Sequence, residues 1–325
     1  MSDGALRVLD GMHIKAVDLS LPEPDVIFSG AQILNIANSR ASDSLFGLPL
    51  PESISASALS RIVPNDVDNF RSSEFTKDKA SEIFKDYLAA IADELKDDPL
   101  VISILDGNTL RMFLEDEDDF AMLAENLFTD LDVEDKGKIS KCEIRNALVQ
   151  MGAEMGVPPF SEFPQLNDIL RKHGADGKEQ LGQAQFAQLL QAVLQDLAEE
   201  LSQKNVTFIQ NIKIINGSKL RQLLNNEKEL SSIAEKLVQE KQNAKSGLGN
   251  KETLRSFLER NAKELGLPLS EADEAVVLLY DDIFADVGRQ EHAESDKDEL
   301  VGLLKETLQK FAEQLESNPV FQDFA

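Results

Sequence analysis

The sequence predicts an all-α protein made of repeated helical units, on three observations. Residues with high helix propensity dominate the chain, and alternating β patterns do not extend beyond three or four residues. Several long segments carry apolar residues at i, i+3, i+4 and i+7, the pattern of a helix with one buried face. Short strings also recur along the chain. With 325 residues, 42% of them hydrophobic, the chain is long enough for two or three domains.

The recurring strings define three copies of one unit. The string ILDGNTLR at 104–111 returns as IINGSKLR at 214–221, and more faintly as VLDGMHIK at 8–15. A Gly-x-Pro then follows at Gly156, Gly266 and Gly47. The two glycine markers are 156 − 107 = 49 positions apart in the second copy and 266 − 217 = 49 in the third, but only 47 − 11 = 36 in the first. Identical spacing in two copies indicates duplication.

The copies predict three domains, at 1–98, 99–205 and 206–325. Each ends in a long amphipathic segment, and these segments begin near Ile83, Phe186 and Leu300. The first domain is divergent, with a partly irregular start rich in Ser, Pro and Asp. After the glycine of the second and third copies, Asn108 and Ser218 precede apolar-periodic runs, and we expect them to be helix N-caps.

One twelve-residue segment, Asp132 to Glu143, has the spacing of an EF-hand calcium loop. Such a loop supplies ligands from positions 1, 3, 5, 7, 9 and 12 and needs glycine at position 6 for a sharp turn. The segment reads DVEDKGKISKCE, with Gly137 at position 6. The candidate calcium ligands are Asp132, Glu134, the backbone carbonyl of Lys138, Ser140 and Glu143.

Lys136 breaks the pattern at position 5 of this loop. An ammonium has no lone pair to donate, and it places positive charge where the cation would lie. Three carboxylates remain at ligand positions, and Lys138 and Lys141 offset them further. We therefore expect one weak calcium site, with a dissociation constant of about 10⁻⁵ M or weaker.

The segments around this loop predict paired EF-hand-like units. Apolar faces precede the loop, through Leu127 and Phe128, and follow it, through Ile144 and Leu148. EF-hands pair through their position-8 residues, here Ile139. The expected partner of this loop is Gly174–Gln185, with Leu181 at position 8. In the third copy the equivalent of the Asp132 loop is Lys241–Glu252, with Leu248 at position 8, and its expected partner lies in 280–300. These loops and the second half of the first copy, 65–77, are all degenerate. The predicted fold is therefore tandem paired EF-hand-like repeats joined by amphipathic helices.

Over most of residues 100–320, the chain resembles a plant EF-hand family, the calcium sensors that interact with stress-activated, sucrose-nonfermenting-related protein kinases. The resemblance lies in ILDGNTLRMFLEDE, LDVEDKGKISKCE, KETLRSFL and QLESNP. It implies a helical calcium sensor with one good loop among degenerate ones, and a protein kinase as partner. By resemblance the ligand roles fall on Asp132, Glu134, Lys138, Ser140 and Glu143. The sequence departs from the family pattern at Lys136.

Composition and missing motifs exclude several other classes. The formal charge of −26 disfavours nucleic acid and anionic membranes. No apolar run approaches the roughly 20 residues of a membrane span, and no secretory signal is evident. With a single cysteine, Cys142, we expect a reducing compartment, the cytoplasm, with the nucleus left open. No nucleophile elbow, phosphate loop or HExxH helix is present, so we expect no enzyme.

Two functions remain open from the sequence. The first is a calcium sensor that regulates a protein partner, with a stress-activated kinase as the candidate. The alternative is a calcium-independent scaffold or inhibitor built on degenerate EF-hands, since most loops have lost their ligands and Lys136 damages the best one.

Overall fold

The computed structural model describes residues 6–21, 27–63, 65–243, 249–270, 274–287 and 296–323, without the side chains of 243 and 296. Over these residues the chain is largely helical, which confirms the coarse prediction. Several short strands were nevertheless not predicted from the sequence. The longest is Leu100–Leu105, where every residue but Ile104 is buried. A strand buried on both faces has no alternation to detect, so it was indistinguishable from helix.

The first copy consists of three short strands and five helices among the described residues. They are β1 (Leu6–Leu9), α1 (Gly11–Lys15), β2 (Phe28–Ser29), α2 (Gly30–Ser44), α3 (Glu52–Ile62), α4 (Val67–Ser72), β3 (Glu74–Phe75) and α5 (Lys77–Asp97).

The second copy is described without a gap. Its elements are β4 (Leu100–Leu105), α6 (Asn108–Glu115), α7 (Glu117–Leu131), β5 (Ile139–Ser140), α8 (Glu143–Met151), a 3₁₀ turn (Ala153–Met155), α9 (Leu166–Lys172), β6 (Gln180–Leu181), α10 (Gln183–Gln203) and β7 (Val206–Ile209).

The third copy repeats this order where it is described. Its elements are β8 (Ile212–Ile215), α11 (Ser218–Asn225), α12 (Glu227–Asn243), α13 (Asn250–Arg260), α14 (Ala262–Leu265), α15 (Glu274–Asp286), α16 (Asp296–Ser317) and β9 (Val320–Asp323). The three predicted closing segments are thus the long helices α5, α10 and α16.

A pair of strands closes the second copy and another closes the third. The strand order is β1-β4-β7 in one sheet and β8-β9 in another. In the second copy Ile104 lies opposite Thr207 and Leu105 opposite Val206, and in the third Ile214 lies opposite Phe321 and Ile215 opposite Val320. Because Ile104 and Ile214 are equivalent in the repeat, the two copies share one antiparallel register.

The Asp-Gly or Asn-Gly of each copy turns the strand into a helix. The side chains of Asp106 and Asn216 accept hydrogen bonds from the backbone N–H two residues later, at 3.0 and 3.1 Å. The N-cap positions are therefore Gly107 and Gly217, and the prediction that Asn108 and Ser218 are the caps was wrong. The Asx turn one residue earlier performs that role.

The marker glycines also allow a close approach to the closing helix. A Cβ on Gly107 would lie 2.3 Å from the carbonyl oxygen of Ala198, and one on Gly217 would lie 2.7 Å from that of Ala312. Both glycines have positive φ, 83° and 76°. In the first copy a Cβ on Gly11 would lie 2.0 Å from the Ala92 carbonyl oxygen. The repeated string is therefore explained by packing between the strand-to-helix turn and α5, α10 or α16.

Contacts divide the chain into two compact units. One contains Met1–Leu9, Asn38–Leu50 and Val101–Gln210, and the other contains Asp10–Ala37, Pro51–Leu100 and Asn211–Ala325. The first unit holds an apolar core between Leu105 and Phe208, and the second holds one between Ile215 and Leu315. The three domain boundaries drawn from the sequence stay a prediction.

Phe186 lies at the centre of the first of these cores, and Phe186→Ala should lower the free energy of unfolding by about 3–5 kcal/mol. Its side chain is fully buried and meets the Phe128 ring edge-on at 5.7 Å between centroids. The measurement is urea unfolding followed by circular dichroism. Phe321→Ala is the control, since that side chain is 53% exposed. Equal losses in the two variants would contradict this placement of the core.

Candidate functional site

The loop from Asp132 to Glu143 is closed by the side chain of its first residue. Helix α7 ends at Leu131. The Asp132 carboxylate then accepts the backbone N–H of Lys136 at 3.0 Å and of Gly137 at 2.6 Å. Asp135 and Gly137 have positive φ, 50° and 66°. The chain thus turns at the glycine that the sequence placed at position 6.

A two-residue strand joins this loop to the next one. Ile139 lies opposite Leu181, and Ser140 opposite Gln180, in an antiparallel pair. This is the pairing predicted between the two position-8 residues. The N–H of Lys141 continues it with a 2.8 Å bond to the Glu179 carbonyl oxygen. Ile139 and Leu181 are both buried, so the bridge also contributes to the core.

The side chains predicted as ligands have other partners. The Lys136 ammonium pairs with the Glu134 carboxylate. The Ser140 hydroxyl lies 3.4 Å from the Gly177 carbonyl oxygen, and the Glu143 carboxylate accepts a 2.6 Å bond from the Asn146 amide. The remaining candidate ligand is the backbone carbonyl of Lys138, and this residue is exposed. Within the described part of the chain, no three His, Cys, Asp or Glu side chains converge as a metal site would require.

The backbone conformation of this loop therefore suits calcium binding better than the arrangement of its side chains does. Asp132 and Glu143 stand at the positions predicted for the first and last ligands, and the turn at Gly137 and the bridge at Ile139 lie where an EF-hand loop would have them. Against this, the loop carries its own cation in Lys136, already paired with a candidate ligand. A site formed by Asp132, Glu134, the Lys138 carbonyl, Ser140 and Glu143 would be weak.

The helices that flank the loop bury the predicted faces. The buried side chains are Leu127, Phe128, Ile144, Ala147, Leu148 and Met151. Leu123 and Leu131 are partly buried against the same core. Because both ends of the loop are held by this packing, a change in the loop would act on α7 and α8 directly.

In the partner loop, Gly174 to Gln185, the residues at the ligand positions have structural roles. Gln185, at the twelfth position, accepts the Gly182 N–H at 3.1 Å and so caps α10. Asp176 is exposed, and Gly174 turns the chain with φ of 62°. The loop keeps the bridge without offering a carboxylate at either end.

A comparable bridge exists in the first copy, and sequence reasoning missed it. Phe28 pairs with Phe75 and Ser29 with Glu74, immediately before α2 and α5. Phe28 and Phe75 stand where the other bridge has the aliphatic residues Ile139 and Leu181, and this difference hid the equivalence of the two bridges. In the third copy Leu248 and residues 288–295 of the acidic stretch 280–300 lie outside the described residues.

The remaining titratable groups of note have structural partners. The pKa of Asp196 is lowered, first by the hydrogen bond from Lys172, and the carboxylate also contacts His173 Nε2 at 2.8 Å. This cluster joins the end of α9 to α10. The acidic run at 115–119 supplies a cap, since Asp116 accepts the Asp119 N–H at 3.0 Å. Cys142 is exposed, and its thiol lies 3.1 Å from the Ser140 hydroxyl.

Fold and site together define a largely helical repeat protein that carries a bridged pair of helix–loop–helix units. Comparisons with protein-family models, curated proteins and solved structures give no match to this chain. In the part of the chain described, no helix has both the length and the apolar character for a membrane span.

Proposed function

We propose that this chain is an EF-hand-type regulator that binds another protein and responds weakly to calcium at Asp132–Glu143. The observation that carries the proposal is the bridge between Ile139 and Leu181, which pairs this loop with a second one in the register of paired EF-hands. The acids at the two ends of the loop, Asp132 and Glu143, add to that support. Bound calcium would supply a positive centre that draws Glu143, the first residue of α8, toward the loop.

Lys136 sets the strength of this response. Its ammonium neutralises Glu134 in the absence of metal, so calcium has to compete with a cation that is tethered in place. Both side chains are mostly exposed, which keeps their attraction modest and allows the exchange.

The partner is a protein, and the family resemblance supports a stress-activated protein kinase. The formal charge of −26 favours a partner segment with basic residues over nucleic acid.

A calcium-independent scaffold is the second candidate, and one observation favours it. The loop is already closed by hydrogen bonds from the backbone of Lys136 and Gly137 to Asp132, so its shape does not require a metal. Under this alternative the helix–loop–helix pairs serve only as packing units for a binding surface.

Calorimetric titration with calcium distinguishes the calcium-responsive regulator from the calcium-independent scaffold. We expect wild-type protein to bind one calcium with a dissociation constant of about 10⁻⁵ M or weaker, and Glu143→Gln to weaken binding at least about ten-fold. Glu125→Gln removes the same charge from an exposed position on α7 and should leave binding unchanged. Absence of heat from wild type at millimolar calcium would favour the scaffold, and so would partner capture that is equal in calcium and in chelator.

A further inference from the structure

Strand β8 has one edge that no described strand covers. It pairs only with β9, whereas the equivalent strand β4 lies between β7 and β1. β7 and β9 are equivalent, because they pair with β4 and β8 in the same register. The edge that is open on β8 therefore corresponds to the edge that β1 covers on β4. An uncovered edge offers backbone N–H and C=O groups to an added strand.

A cavity of about 610 Å³ runs along this open edge. Its wall includes the consecutive β8 residues Lys213, Ile214 and Ile215 and continues through the turn at Asn216 and Gly217. Side chains of a strand alternate between its two faces, so a space that meets consecutive residues must follow an edge. No residue of β9 lines the cavity, which places it on the side of β8 away from β9. The opposite wall comes from Ser57 and Arg61 on α3 and from the end of α5.

The charges along the cavity have both signs. Arg61 pairs with Glu94 at 2.5 Å, and Lys213 pairs with Asp98. The Asp97 carboxylate accepts a hydrogen bond from the Gln222 amide at 2.5 Å, and burial raises its pKa. A phosphate or a metal ion would meet unfavourable charges in such a wall. A peptide backbone, which presents neutral donors and acceptors in alternation, is compatible with both signs.

We propose that an extended segment of a protein partner adds to the open edge of β8 as a new strand, as β1 does on β4. This inference rests on the proposed function, because it names the surface where the regulator takes its partner. Main-chain hydrogen bonds supply the affinity in such strand addition, and side chains that alternate between the faces supply the selectivity. A segment of about four residues, roughly 13 Å long, matches β8.

The chain's own first strand provides the probe. A peptide of residues 5–11, ALRVLDG, with both ends blocked, carries the sequence of β1, which lies on the equivalent edge of β4. We expect it to shift the amide NMR signals of Ile214 and Ile215 in protein labelled with ¹⁵N-isoleucine. A peptide N-methylated at alternate residues should not bind, because strand addition needs its N–H groups.

A matched pair of variants tests whether the peptide binds in the cavity beside β8. Ser57→Trp fills the cavity from the wall opposite β8, and should weaken peptide binding at least ten-fold. Ser60→Trp adds the same side chain at an exposed position on the same helix, and should have no effect. Shifts confined to β4 isoleucines, equal binding of the N-methylated peptide, or no binding at millimolar peptide would each overturn the inference.

Calcium titration of the same variants keeps the two proposals apart. If calcium binds normally while the peptide does not, strand addition at β8 is wrong and the calcium response stands. If the peptide binds at β8 while calcium gives no heat, the calcium response fails and the strand site stands.

Discussion

Replacing Gly107 by alanine is expected to destabilise the protein by about 3–5 kcal/mol. The backbone there has φ of 83°, a left-handed conformation that costs an L-residue roughly 1–2 kcal/mol. The added Cβ would also lie 2.3 Å from the Ala198 carbonyl oxygen. That atom belongs to the backbone of α10 and cannot rotate away, so the turn and the helix must separate and lose packing between them.

Gly174→Ala is the matched control for this variant. Gly174 has φ of 62°, but a Cβ there would meet nothing within 4 Å. It therefore reports the backbone strain alone, and its cost should stay near 1–2 kcal/mol. Urea unfolding of both variants, followed by circular dichroism, gives the comparison. Equal costs in the two variants would show that the close approach between Gly107 and Ala198 contributes nothing.

Lys136→Asp is expected to tighten calcium binding at the Asp132–Glu143 loop at least about 100-fold, or roughly 2.7 kcal/mol. The substitution removes the ammonium that pairs with Glu134 and places a carboxylate at the fifth ligand position. The local charge changes by two units, and ligand charge is one of the factors that set EF-hand affinity. Calorimetric titration at about 0.15 M salt measures the change, since higher salt would screen part of it.

Lys178→Asp is the control for this charge change. Lys178 is exposed and stands at the fifth position of the partner loop, which has glycine first and glutamine last. Its substitution alters the net charge equally but adds no complete ligand set. If Lys178→Asp tightens binding as much as Lys136→Asp does, the effect arises from the overall field and not from the loop.

Local patterns predicted much of the fold. The helices on both sides of the Asp132–Glu143 loop, the closing helices, and the opposition of Ile139 and Leu181 all follow from periodicity and spacing within short segments. The calcium ligands and the kinase partner stay predictions. The strand Leu100–Leu105 was missed because it is buried on both faces and so carries no alternating pattern. The Phe28–Phe75 bridge was missed because it has aromatic residues where the predicted bridge has aliphatic ones.

The sequence by itself determined that the chain repeats, where its long helices lie, and which twelve residues form the best loop. Only the tertiary structure decided why the markers recur, since Gly107 and Ala198 are 91 positions apart and their contact has no local signature. The tertiary structure also decided that, among the described strands, β4 has a neighbour on both edges and β8 on one. Strand pairing depends on backbone groups that every residue shares, so side-chain identity does not specify which edges are filled.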